Sequence, residues 1–504
     1  MAHFVDNNNG GSSSSSSSSA QDGKQVGEDI DANMPTSGGV VLDLRSRQFL
    51  EGGSYHRMRI CQQQAQQPQV ATPVPGSRVD LLVARLVSLL GSSKGTGHDL
   101  QFVGPSICQF PPRLAESVAL QDATECLLFA HDALLRREEP ESLIDPGCYG
   151  RALRSLQRAL DDPQERYLAN TLAATGLLQK TEGAFSAAGR MDFGVTHAGG
   201  IYACMKGRGL PQSDDEFEML LCIEAGGLLV QFCMFNDRDP FVTYPEWVQI
   251  FDAALNNGII KDDIVRYQHR LQMQMLYWPG LVKSLRRIHE GISGAPSEPG
   301  LLLQAIQVAQ ELQNIDLEII SQLRQRGDII EAPNDGTSPF PWVYEFSGHD
   351  VARLFIHHAM ASISINRIVE QLVTPADAVP NPTFGESNIE WSRCIWLSCS
   401  FARRAKPLQC IYLVTPLIVS FEAADSKQRE WIKKALYDIQ DYPGGMCELI
   451  PYSDARAYNQ TGHQKVDLGT AAFQLQFILD HWTSPETLRF LEPRADLAQL
   501  ASSG

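Results

Sequence analysis

His197, Lys206 and Arg208 fall within "HAGGIYACMKGRGLP", residues 197–211, beside Gly199, Gly200, Gly207 and Gly209. Glycines beside basic side chains suit a phosphate cradle, and a histidine suits a metal site or a general base. A cradle needs consecutive backbone amides aimed at one anion, ordinarily at a strand-to-helix junction closed by Gly-Lys-Ser/Thr. This stretch lacks that order and follows no predicted strand. Val195, Ala198, Tyr202 and Met205 instead recur at helical spacing, with His197, Ile201 and Arg208 on another face, which predicts a helix. Gly207 and Gly209 then mark its end, Pro211 prevents its continuation, and Lys206 and Arg208 complement the negative end of its dipole. On that reading His197 and Arg208 serve packing and capping, and Arg208→Ala costs about 1 kcal/mol as a lost helix-end interaction.

The remaining groups with chemical potential read the same way. "LGSSKGTGHD" has the composition of a nucleotide loop, but no lysine follows its last glycine, so it reads as a flexible loop. The chain carries no Gly-x-Ser-x-Gly elbow, no His-Glu-x-x-His zinc helix and no kinase-type loop. His357 and His358 lie in an apolar helix, where adjacent side chains point about 100° apart and do not share one metal. Cys394, Cys399 and Cys410 lack the Cys-x-x-Cys units of structural zinc sites and are expected to be buried thiols. The acids of "SDDEFE" and "KDDIV" suit helix starts, with Ser213 as the expected cap of the first. No catalytic, metal-binding or DNA-binding residue is therefore assigned, and no cofactor is implied.

The elements that would position these residues are helical almost throughout. Val79, Leu82, Val83, Leu86 and Leu90 share one helix face, as do Tyr149, Leu153, Leu156 and Leu160. The clearest run is Leu301, Ala305, Val308, Leu312, Ile315, Ile319 and Leu323. Further helices are expected in "DEFEMLLCIEAGGLLVQFCMF", "DVARLFIHHAMASISINRIVEQL", "KQREWIKKALYDI" and "LGTAAFQLQFILDHW", and strand signals are almost absent. Short Gly, Pro and Asp breaks between them favour antiparallel neighbours, so the fold class is all-α, an irregular layered helical array. Residues 1–76, with the Ser12–Ser19 run and "CQQQAQQPQ", have too few apolar side chains to form a core and read as a disordered tail. One domain is expected over 77–492, with an internal break or exposed loop at 291–300, "GISGAPSEPG", and a tail over 493–504.

Composition bounds the partners. A net charge of −17 and a pI near 5.2 oppose a broad electrostatic footprint for nucleic acid or an anionic membrane. No stretch approaches the ~20 apolar residues of a membrane span, and no secretory signal is visible, so a reducing intracellular setting is expected. The eleven cysteines, scattered through 504 residues, are then mostly buried free thiols.

Several of these segments, in order, resemble the regulatory domain of fungal zinc-cluster transcription factors, the fungal-specific transcription factor domain. The resemblance covers most of residues 79–490. "FPPRLAESVALQDATECLLFAHDALL" is similar to its early helix, and "YGRALRSLQRALDDP" followed by "TLAATGLLQKTEGAF" to its next helix pair. The family pattern His-x-x-Gly-x-x-x-Leu-x-x-x-Arg-Gly is matched by His197, Gly200, Arg208 and Gly209, with Cys204 at the leucine position. "EWVQIFDAAL" and "REWIKKALYDI" resemble later helices.

These regulators read DNA through an N-terminal cluster of six cysteines holding two zinc ions, whereas the first hundred residues here contain only Cys61. The resemblance thus implies a nuclear, non-enzymatic regulator that acts through protein partners, such as a DNA-binding transcription factor or co-regulator, or through a small-molecule effector. It implies no direct nucleic-acid contact from this chain and no membrane. The rival reading is a helical scaffold or adaptor unrelated to transcription.

Overall fold

Leu301, Ala305, Val308, Leu312, Ile315, Ile319 and Leu323 are all buried, as their spacing predicts. They do not form one continuous α-helix. In the computed structural model the α-helix Glu298–Ile315 passes into a π-helical turn, Asp316–Ile320, and then a short α-helix, Ser321–Gln325. The wider turn re-phases the stripe so that Ile319, Ile320 and Leu323 all face inward.

The structure describes residues 76–440 apart from 93–96, 140–141, 186–194, 236–237, 290–296, 335, 337 and 374–381. The expected tails, most of the 291–300 break and the helix expected in "LGTAAFQLQFILDHW" lie outside the described residues. The helices are α1 Arg78–Ser92, α2 Val118–Leu135, α3 Pro146–Asp161, α4 Ala169–Phe185, α5 Val195–Arg208 and α6 Glu216–Phe235. They continue as α7 Pro245–Asn256, α8 Asp263–Met275, α9 Trp278–His289, α10 Glu298–Ile315 and α11 Ser321–Gln325. The last four are α12 His349–Val373, α13 Pro382–Arg403, α14 Val414–Ser420 and α15 Ser426–Gln440. The fold is all-α, with one small hairpin inserted among the described residues.

Local chemistry sets the helix ends. Ser117 caps α2 by accepting from the Leu120 amide at 3.3 Å, and Asp145 caps α3 through the Cys148 amide at 2.6 Å. Asp262 caps α8 through the amides of Ile264 and Val265. For α6 the cap is Asp215, whose carboxylate accepts from Phe217 and Glu218, and not Ser213. Either residue type suits an N-cap; the chain reaches helical geometry two residues later than the sequence pattern implied.

Packing runs from one helix pair to the next. α2 lies against α3 and α4, α4 against α5 and α6, and α6 against α8 and α9. α12 is apolar on nearly every face and contacts α8, α9, α10, α13 and α14, as expected of a helix enclosed by others. Helices on both sides of residues 290–296 therefore share one core. Trp396, fully buried in α13, donates its indole N–H to Ser420 Oγ at 2.9 Å and stacks on Phe340.

The hairpin pairs β1, Ile329–Pro333, antiparallel with β2, Trp342–Phe346, with Ile329 opposite Phe346. Each strand has only five residues, too few for alternation to separate a strand from a helical turn. Gly327, at φ +78°, breaks the helix before it.

The thiols take the expected buried environment at Cys399 and Cys410 but not at Cys394. Cys399 and Cys410 are buried and reduced, and Cys394 is half-buried. Among the described residues, no group of three His, Cys, Asp or Glu side chains is placed to hold a metal ion. His358 Nε2 lies 2.9 Å from the Leu312 carbonyl and His357 Nε2 lies 3.3 Å from that of Tyr412, so the adjacent rings serve different neighbours. No described helix is long and apolar enough to cross a membrane.

Candidate functional site

Helix α5 carries His197, Gly200 and Arg208, and Gly209 follows it directly. The helix is held between α4 and α6, with Ala198, Ile201, Cys204 and Met205 buried. Ile201, which spacing places on the face of His197 and Arg208, is enclosed because neighbours cover the helix on two sides. Tyr202 is half-buried, its ring 5.0 Å from that of Phe241.

His197 stands near the start of α5 and faces back across α4 to α3. Its Nε2 lies 3.0 Å from Glu182 Oε2, and the Tyr149 hydroxyl donates to Glu182 Oε1 and sits 3.3 Å from the imidazole nitrogen. A histidine, a carboxylate and a phenol together can share a proton, but here Nε2 is turned into the protein and used to join three helices.

Arg208 closes the other end of the helix. Its guanidinium forms a short ion pair with Glu218 in the first turn of α6 and donates to the Tyr167 carbonyl at 2.5 Å, just ahead of α4. The second Glu218 oxygen accepts from the Gln212 amide at 3.0 Å. The Arg208 and Glu218 side chains are only 17% and 10% exposed, so this is a largely desolvated pair, not a surface charge complementing a dipole. Gly209 adopts φ +80° and its amide bonds the Met205 carbonyl at 3.1 Å, a left-handed cap that favours glycine.

The glycines of the stretch differ in what they tolerate. A Cβ on Gly200 would meet Thr175 Cγ2 at 3.5 Å, ordinary contact, whereas one on Gly207 would stand 2.5 Å from the Tyr167 ring. Gly200→Ala is therefore expected to leave stability unchanged or raise it by up to about 1 kcal/mol through helix propensity. A urea unfolding midpoint displaced downward would show that Gly200 has a constraint beyond van der Waals contact.

A third polar group lies between α4, α6 and the turn before α2, and sequence reasoning did not single it out. Lys180 Nζ is 2.8 Å from Glu224 Oε2 and also donates to the Val103 carbonyl, while Glu224 accepts from the Ser106 amide and hydroxyl at 2.7 and 2.9 Å. Leu177, Ile201, Leu221 and Leu228 line the small pocket beside it, whose free space holds little more than one water molecule. Lysine and glutamate in separate amphipathic helices give no local signal of pairing. In the structure Gly104 sits at φ +121° with its Cα so close that a Cβ would meet the Glu224 carboxyl carbon at 2.4 Å. Gly104→Ala is expected to destabilise by about 2 kcal/mol through backbone strain and displacement of the carboxylate, measured by chemical denaturation.

The segment "FPPRLAES" also takes a defined place. Phe110 is buried edge-on to Phe217, and the Arg113 guanidinium lies 3.9 Å over the same Phe217 ring. Arg113 and Arg208 thus both anchor onto the first turn of α6.

The chain matches no protein-family model, no curated protein and no solved structure. Functional inference therefore rests on the residues and their arrangement. What the arrangement does chemically is pair charge with charge, Arg208 with Glu218 and Lys180 with Glu224, and set the His197 ring against the Glu182 carboxylate.

Proposed function

We propose that the protein is a transcription regulator of the fungal zinc-cluster type that acts through its helical domain, by contacts with other proteins or a small-molecule effector. Direct reading of DNA is assigned to a partner, because the chain is strongly acidic. The reading places the protein in the nucleus and gives it no enzymatic role.

The observation that supports it best is the convergence of the segments carrying the resemblance. Tyr149 from "YGRALRSLQRALDDP", Glu182 from "TLAATGLLQKTEGAF" and His197 from the helix of the family pattern meet in one hydrogen-bonded group. Arg208 of that pattern joins the same helix to α6. Residues shared by pattern and packed together make a rigid platform, the property a regulatory domain needs to pass a contact at one surface to another.

Fluorescent tagging and fractionation of the full chain in its native cells test the assignment. A nuclear pool in at least one growth condition, and recovery from chromatin that requires a second protein, are expected. Exclusion from the nucleus under all conditions would favour the scaffold reading. Selection of a specific duplex by the purified chain alone would overturn the statement that a partner supplies the DNA contact.

A further inference from the structure

In a chain of net charge −17, the arginines of α1 and α3 gather beside one face of α2. On α1, Arg78, Leu81 and Arg85 are spaced i, i+3 and i+7, and on α3 Arg151, Arg154 and Arg158 repeat that spacing, so each set forms a stripe along its helix. Val118, Gln121, Glu125 and Phe129 make the matching outward stripe of α2. Arg78 and Arg151 meet at Glu125 from opposite sides, and the Arg85 guanidinium lies 5.9 Å over the Phe129 ring.

The carboxylates of this face are already occupied. Arg78 is 2.6 Å from Asp122 and pairs with Glu125, Arg151 is 3.2 Å from the same Glu125, and Arg85 pairs with Asp132 while donating to the Leu128 carbonyl at 2.9 Å. Asp161, at the end of α3, accepts from Gln157 Nε2 at 2.9 Å. Arg154 and Arg158 are exposed, and among the described residues neither guanidinium forms an ion pair; Arg158 only reaches back to the Arg154 carbonyl at 3.2 Å. Apolar side chains stand in the same stripes, Leu81 at 65%, Val118 at 56% and Phe129 at 42% exposed.

We infer that the face formed by α1, α2 and α3 docks an acidic amphipathic segment of a partner protein, with its carboxylates on Arg154 and Arg158 and its apolar side chains on Leu81, Val118 and Phe129.

Charge and apolar surface together select this occupant. A basic segment would add like charge to two guanidinium groups that lack a counter-charge. A nucleic-acid backbone satisfies arginines but offers little apolar surface to Leu81, Val118 and Phe129, and a long polyanion is opposed by the charge of the whole chain. A short acidic segment meets chiefly the local field, because screening limits its reach to about 8 Å at physiological ionic strength. The planar guanidinium fork matches a carboxylate with two parallel hydrogen bonds, which gives such a segment register as well as attraction. A regulator and a scaffold would use the face alike, so the inference does not rest on the transcriptional role.

Selection from a phage-displayed library of random peptides of about 16 residues on immobilised full-length protein tests it. Enriched peptides are expected to combine Asp or Glu with Leu, Phe or Trp. Measured by fluorescence anisotropy, they should bind the wild type at least about tenfold tighter than the Arg154→Glu, Arg158→Glu protein, and more weakly as salt is raised. Phe129→Ser should weaken binding about fivefold without touching an ion pair. The substituted side chains are exposed, so each variant should unfold at the wild-type urea midpoint, and lost binding then reports on the face and not on the fold. Failure to enrich any peptide, enrichment of neutral or basic ones, or equal binding to the charge-reversed protein would overturn the proposal. Tighter capture of a short DNA duplex by the same arginines, or a wild-type dimer that Arg154→Glu, Arg158→Glu dissociates in sedimentation, would assign the face to another occupant and overturn it too. Exclusion of the protein from the nucleus would leave all of these results unchanged.

Discussion

Acidification from pH 6.5 to 4 is expected to cost the domain about 6 kcal/mol, on the order of its entire folding stability. His269 and His357 carry the effect. Burial pushes each imidazole down from 6.5 to about 4, His269 against the Phe251 ring and His357 beneath the Tyr412 carbonyl with Arg353 adding like charge. A folded-state value below the unfolded one means that the unfolded chain binds more protons throughout this window. The stabilising contribution is complete above about 6.5 and is lost as pH falls toward 4. A displacement of that size is about 3 kcal/mol for each ring, at 1.36 kcal/mol per unit.

His131, His349 and His358 are also lowered by burial and act in the same direction. Urea midpoints measured at half-unit pH steps should fall steeply below 6.5, and His269→Leu should reduce the slope by about one proton while leaving the neutral-pH midpoint within about 1 kcal/mol. A midpoint unchanged from pH 7 to 4.5 would mean that both rings reach water in the folded state.

That sensitivity illustrates what the linear chain discloses. Spacing was sufficient to place Leu301 to Leu323 inside, because a helix repeats its own burial every turn, and to foresee that His357 and His358 diverge. It was sufficient also for the helix over 197–208 and for Gly209 as its left-handed cap. What it did not disclose depends on pairing across distance. Glu218 was read as one of several acids at a helix start, and its use by Arg208 follows from the angle at which α5 meets α6. Lys180 and Glu224 join different helices, and nothing local distinguishes them from solvated neighbours. The hairpin at Ile329–Phe346 escaped for the opposite reason: its two strands are too short to establish a period.

Arg208→Ala is expected to destabilise the domain by about 4 kcal/mol, well above the ~1 kcal/mol appropriate to a charge at a helix end. The larger figure comes from what would be left behind. Glu218 is 8% exposed, and without the guanidinium one of its oxygens keeps only the Gln212 amide while the other loses its counter-charge in a desolvated setting. The Tyr167 carbonyl loses its donor at the same time. Because the cost is that of an orphaned carboxylate, it should shrink when the carboxylate is removed too. Arg208→Ala combined with Glu218→Gln is expected to be at least about 2 kcal/mol more stable than the sum of the single changes. Lysine at 208 should restore less than half, since it cannot serve Glu218 and the Tyr167 carbonyl with one planar fork. Urea denaturation of the wild type and these four variants measures all of this. Additive single effects near 1 kcal/mol each would return Arg208 to a solvated helix end. Unchanged stability with lost regulatory output would make it a contact for a partner, and the platform formed by α4, α5 and α6 would then have its binding face at the end of α5.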